Sequence, residues 1–108
     1  MYEIFHYLTV DGRDPFQEWL ESLRDRQAKA RVAVRLNRMA AGNLGDHKPV
    51  GGGVWELRID VGPGYRVYYS LAGQQLVLLL TGGDKSSQRA DIEKAMAYWG
   101  DHQRRHTT

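Results

Sequence analysis

Between Val54 and Thr81 the chain reads as three strands in quick succession, and this stretch limits the fold more than any other. The strands are predicted at about Val54–Asp60, Tyr65–Leu71 and Gln75–Thr81. Their links, Val61–Gly64 and Ala72–Gly73, are short and contain glycine, so the strands should meander antiparallel. The last strand, QLVLLLT, is apolar at every position between its ends. A strand of that kind must be covered on both faces.

Helices able to supply that cover flank the strands. Asp14 is placed to cap a helix, with Pro15 at its first position and Gln17 three residues after the cap. Phe16, Trp19, Leu20 and Leu23 follow at i, i+3, i+4 and i+7, on one helical face. A second helix is predicted from about Asp25 to Ala41, with Ala28, Val32, Leu36 and Met39 as its buried stripe. Gly42 supplies its C-terminal stop. So short a link between the two predicts a helical hairpin. A third helix is predicted over Ser87–Trp99, with Ile92, Ala95, Met96 and Trp99 in the same spacing. Tyr2–Thr9 reads as a first strand and Val10–Arg13 as a turn. Asn43–Gly53 (NLGDHKPVGGG) reads as a connector. It lacks the Gly-Lys-Ser/Thr ending of a phosphate-binding loop, and a strand rather than a helix follows it. The expected order is β-α-α-β-β-β-α: an α+β domain with a small, mainly antiparallel sheet, a helical hairpin on one face and a C-terminal helix. One domain spans residues 1–100, and residues 101–108 form a polar, frayed tail.

Several function classes drop out on composition. The chain has 108 residues, 42% of them hydrophobic and 26% charged, the balance of a globular protein. It has no cysteine, so a disulfide framework and a thiolate metal site are excluded. Its four histidines are scattered without metal-ligand spacing. The N-terminus lacks the pattern of a signal peptide and no apolar run could span a membrane, so a cytoplasmic protein is expected. Fifteen basic against thirteen acidic residues leave a net charge of only +2. From Arg26 to Gly45, however, Arg26, Lys29, Arg31, Arg35 and Arg38 meet no acid. Such a run is either a solvated helix face or a surface for phosphates or acidic protein segments.

Strand parity locates the candidate chemistry. Trp55, Leu57 and Ile59 share one face with Tyr65, Val67 and Tyr69. Glu56, Arg58, Arg66 and Tyr68 then share the other. Two arginines side by side on a sheet repel unless something anionic lies between them. Either Glu56 satisfies one of them in a surface network, or the face is built for an anion. Thr81-Gly82-Gly83-Asp84-Lys85 follows the last strand, and its glycines would let Lys85 turn back over the same face. Arg58, Arg66 and Lys85, bordered by Tyr68, suit a phosphodiester: cations neutralise charge on phosphoryl oxygens, and an aromatic ring stacks on a base.

With these residues in view, GGGVWELRIDVGPGYRVYY and TGGDKSSQRADIEKA resemble the addiction-module killer proteins, a HigB-type branch of the RelE/ParE toxin superfamily. The strand and PFQEWLESLRDRQAKARV of the N-terminal half fit as well. The resemblance covers about residues 2–99. It implies a RelE-like fold and a toxin neutralised by an antitoxin, a small DNA-binding protein encoded alongside. Operator DNA would be bound only through that complex. It further implies metal-independent cleavage of messenger RNA, commonly on translating ribosomes, by attack of the 2′-hydroxyl on the adjacent phosphate. No cofactor is implied. By this resemblance Arg66 is the principal catalytic group, with Lys85 and Arg58 beside it. Where relatives carry lysines before the hairpin turn, this chain has Val54 and Glu56. The tyrosine or histidine usual after the last strand is absent from Ser86–Ala97. Glu56 is then the first candidate for general base and His47 the second. Tyr68, Arg31, Arg35, Arg38 and Lys48 are the expected RNA contacts, although the basic helix fits an antitoxin segment equally. The alternatives are a ParE-like toxin that inhibits DNA gyrase without nuclease chemistry, or a catalytically inactive module that binds a partner.

Overall fold

A computed structural model describes residues 1–106. Its elements are β1 (Glu3–His6), α1 (Pro15–Ser22), α2 (Arg26–Ala40), β2 (His47–Gly51), β3 (Val54–Ile59), β4 (Tyr65–Ala72), β5 (Leu76–Asp84) and α3 (Gln88–Arg105). A single 3-10 turn, Lys85–Ser87, precedes α3. The sheet order is β1-β5-β4-β3-β2, antiparallel except where β1 runs parallel to β5. This is an α+β architecture compatible with a small RelE-like fold.

The local signals that start and stop the first two helices act as read. The Asp14 carboxylate accepts from the Gln17 backbone N–H at 3.0 Å, with Pro15 opening α1. Asp25 caps α2 in the same manner, and Gly42 beyond its end adopts φ +97°, a left-handed conformation that suits glycine. Both helices lie on one face of the sheet. There Phe16, Val32 and Met39 pack with Leu57, Val67, Tyr69, Val77 and Leu79. The second face is covered as well: Val54, Tyr68, Leu78 and Leu80 lie under Ala95 of α3, with Ile92, Met96 and Trp99 alongside. β5 is therefore sandwiched, as its unbroken apolar run requires.

Two expectations are corrected. The presumed connector contains a fifth strand, β2, in which Lys48 pairs with Glu56 and Pro49 with Trp55. It is an edge strand, where a proline costs no ladder bond. The expected tail is helical from Asp101, since α3 continues through Arg105. Its last turns are held by Tyr7, whose hydroxyl donates to Asp101 at 2.6 Å, and by Arg105, which reaches both Asp101 (2.7 Å) and the Leu8 carbonyl (2.5 Å). The final two residues of the expected tail lie outside the described residues. Among the described residues no helix is long and apolar enough to cross a membrane.

Candidate functional site

The β3–β4 hairpin makes Arg58 and Arg66 direct cross-strand partners. In that register two guanidinium groups share one small area of sheet, and each finds only a distant acid. Arg58 Nη2 lies 3.4 Å from Asp46 Oδ1, and Arg66 Nε lies 3.5 Å from Glu56 Oε2. Arg66 Nη1 also donates to the Gly64 carbonyl at 3.0 Å. The Nε groups of both arginines are buried without a hydrogen bond. Neither arginine forms the bidentate fork that would fully occupy a guanidinium. Together with Asp46, Gly64 and Tyr65 they line a cleft of about 260 Å³ at the hairpin end.

Glu56 and Tyr68 do share the parity of the arginines, but α3 covers them, and both are fully buried. The Tyr68 hydroxyl donates to Glu56 Oε2 at 3.1 Å, and Gln88 Nε2 donates to the same oxygen at 2.8 Å. Burial first, then the Glu56 charge, raises the Tyr68 hydroxyl well above the ordinary tyrosine range. Tyr68 is thus no platform for a base, which corrects the expectation of an exposed aromatic. Glu56, tied by two donors beneath the helix, is not placed as an open proton acceptor. It sits behind Arg66 as its buried counter-charge, with Oε1 left unpartnered. Gln88 carries no signal in the sequence, because only the packing of α3 brings it to β3.

Lys85 lies beside Gly64 at the hairpin tip without lining the arginine cleft, and the glycines before it do not turn it back as expected. Gly82 and Gly83 are β5 strand residues, and neither has positive φ. Their missing side chains permit close packing instead: a Cβ on Gly82 would overlap the Trp19 ring, and one on Gly83 the Asp91 carboxylate. Lys85 begins the 3-10 turn directly beyond, exposed. A Cβ built on Gly64 would lie 3.8 Å from the Lys85 Cβ and 3.3 Å from Arg66 Nη1. Arg66 and Lys85 therefore flank the same tip of the hairpin.

The remaining predicted residues divide. Lys48 is exposed on β2 beside Glu56 and shares its parity. His47 pairs with Leu57 and so faces the helical-hairpin side, away from Arg66. Its Nδ1 is 2.8 Å from the Gly45 carbonyl oxygen and its ring 5.3 Å from Trp55, so it is not positioned as a base for the cleft. Arg31 and Arg38 are exposed on α2. Arg35 is not part of their stripe. Its guanidinium turns inward and donates to three carbonyls: Arg58 at 2.5 Å, Asp46 at 3.2 Å and Leu44 at 3.4 Å. Desolvation lowers its pKa. Arg35 clasps α2 to the β2–β3 ladder, and the surface charge of the helix is correspondingly smaller than the sequence suggested. Among the described residues no group of three or more His, Asp or Glu is arranged to hold a metal ion.

A small five-stranded α+β domain with paired arginines at a hairpin end fits the RelE-like class of small folds. Residues 18–97 match the family described as Phage derived protein Gp49-like (DUF891), and the chain belongs to that family. The family is associated with toxins of toxin–antitoxin pairs of the RelE/ParE type, which implies an antitoxin as partner. The chain is also 50% identical over 80 residues to an uncharacterised protein of Haemophilus influenzae, a match covering 74% of this chain and 81% of that one.

Proposed function

We propose that this protein is a HigB-like toxin that cleaves messenger RNA on translating ribosomes until its antitoxin neutralises it. The observation that carries this reading is the Arg58–Arg66 cross-strand pair, incompletely neutralised, with Lys85 nearby beside Gly64. In a phosphodiester cleavage the 2′-hydroxyl oxygen bonds to phosphorus and gives its proton to solvent water, the 5′-oxygen leaves and takes up a proton, and negative charge grows on the phosphoryl oxygens. Arg66 stabilises that charge, held in place by Glu56 and the Gly64 carbonyl. Arg58 positions the phosphate from the neighbouring strand, and Lys85, exposed beside Gly64, protonates the leaving oxygen. With Glu56 buried and His47 on the other face, the site works by electrostatics and positioning rather than through a dedicated carboxylate or imidazole base. Lys48, Arg31 and Arg38 supply sequence-independent attraction for RNA phosphates.

The test is induction of the wild type and of an Arg66→Ala/Lys85→Ala variant in a bacterium lacking the antitoxin, with RNA 5′ ends mapped. Growth arrest with new cleavage sites inside reading frames, absent for the variant, is expected. Arrest with intact messages would overturn the nuclease reading in favour of a binding poison such as a gyrase inhibitor. Absence of arrest despite folded protein would leave a module that only binds its partner.

A further inference from the structure

β1 pairs with β5 only from Leu76 to Leu79, so the outer edge of β5 from Thr81 to Asp84 has no strand beside it. The gap between α1 and α3 along that edge is a cleft of about 490 Å³. This is within the range of small-molecule sites, roughly 300–1,000 Å³. Trp19 and Tyr65, ring centroids 6.3 Å apart, form its aromatic side. Asp91 enters from α3 with only 7% of its surface exposed, and Oδ2 accepts from Ser87 Oγ at 2.6 Å. No cation pairs with this carboxylate among the described residues. Oδ2 is held by Ser87 and packs over Gly83, which leaves Oδ1 without a hydrogen-bond partner among the described residues.

The cleft adjoins the arginine site at two points. Tyr65 lines both. Asp91 lies directly over Gly83, the cross-strand partner of Arg66. A nucleotide whose phosphate rests on Arg66 therefore has an aromatic, carboxylate-bearing cleft one strand away for its base. Single-stranded RNA is recognised by stacking of unpaired bases and by hydrogen bonds to their edges. A carboxylate only accepts, so it favours a base edge with adjacent donors. Guanine alone among the four offers an imino N–H next to an amino group. Uracil flanks its single imino donor with two carbonyl oxygens that a carboxylate repels.

Resting on the RNA-cleavage reading above, we infer that the α1–α3 cleft is a guanine subsite, with Asp91 accepting from the base edge and Trp19 and Tyr65 packing on its face. It would give the nuclease a preference for guanine beside the cleaved bond.

The test is a titration of the ¹⁵N-labelled full chain with 3′-GMP, 3′-IMP and 3′-UMP, following the indole N–H signals of its three tryptophans. Inosine keeps the 6-oxo purine but lacks the 2-amino donor. The Trp19 signal, assigned by its loss in Trp19→Phe, should shift, with 3′-GMP binding about tenfold more tightly than 3′-IMP or 3′-UMP, as a hydrogen bond to a charged group implies. Asp91→Asn should bring GMP and IMP to parity, whereas Arg66→Ala should weaken all three and preserve their ratio. Should Asp91→Asn lose its fold, the GMP-to-IMP ratio in the wild type decides alone. Equal binding of GMP and IMP, or shifts that spare Trp19, would overturn the subsite. RNA cleavage without guanine preference removes the subsite and leaves the nuclease. Selective GMP binding without any cleavage does the reverse.

Discussion

Replacing Arg35 by Met would keep the apolar stem on α2 and delete the guanidinium that joins the helix to three carbonyls. The bond to Asp46 at 3.2 Å is of ordinary length, the one to Arg58 at 2.5 Å is short, and the one to Leu44 at 3.4 Å is marginal. A hydrogen bond from a charged donor contributes about 1.5–3 kcal/mol, less when the abandoned acceptor can turn to water. Asp46 is exposed and Arg58 and Leu44 are half-buried, so their carbonyls can partly turn to water and the loss is about 2–3 kcal/mol. For a domain of this size that lowers the thermal midpoint by roughly 10–20 °C. Urea titration followed by circular dichroism checks it: the midpoint should fall by about 1–2 M while the slope stays constant. A change below about 0.5 kcal/mol, the scale of an ordinary surface substitution, would refute the clasp and return Arg35 to the exposed stripe.

Three further outcomes follow from the packing. Gly83→Ala forces a methyl group into the Asp91 carboxylate and Gly82→Ala forces one into the Trp19 ring, so each should cost about 1–3 kcal/mol, read as a lower thermal midpoint. Burial pushes Tyr69 up to about 12 and raises Tyr68 and Tyr7, so their folded pKa values exceed the unfolded ones. Their contribution is complete below the unfolded value near 10 and is lost as pH rises through the folded values. Ultraviolet titration at pH 11 should therefore show at least Tyr68 and Tyr69 still protonated in the folded protein, whereas all six tyrosines ionise in denaturant. Asp101 is shifted the other way, lowered by the Tyr7 hydroxyl and then by Arg105. Its contribution is present above the unfolded carboxylate range and fades as pH falls through the folded value. Amide protection factors in the last turn of α3, taken relative to the intrinsic rate at each pH, should fall on acidification, and in Tyr7→Phe they should already be low at neutral pH.

Much of the fold was legible because local signals and packing agree in it. Asp14, Pro15, Asp25 and Gly42 mark helix ends by their own backbone chemistry, and the run Leu76–Leu80 demands cover on both faces. β2 was illegible because HKPVG lacks alternation and carries one apolar side chain besides proline, Val50. Only pairing with Glu56 and Trp55 makes it a strand. The end of α3 was missed for a similar reason: Asp101 and Arg105 read as solvated tail residues until Tyr7 and the Leu8 carbonyl arrive from the far end of the chain. At the site, parity correctly grouped Glu56, Arg58, Arg66 and Tyr68, but nothing in parity says which part of a face a helix will cover. α3 buries Glu56 and Tyr68 and stops short of Arg58. Asp91 and Gln88 escaped notice because their roles depend on where that helix lies.

In the proposed mechanism Arg66 and its neighbours stabilise 2′-hydroxyl attack on a message. The most direct measurement uses purified protein, translating ribosomes and a message carrying one 2′-deoxynucleotide at a mapped cleavage site. Cleavage should cease at that position alone, and unmodified sites should yield upstream fragments ending in a 2′,3′-cyclic phosphate. Continued cutting at the deoxy position, or no cutting of any message by the folded wild type, would contradict the mechanism.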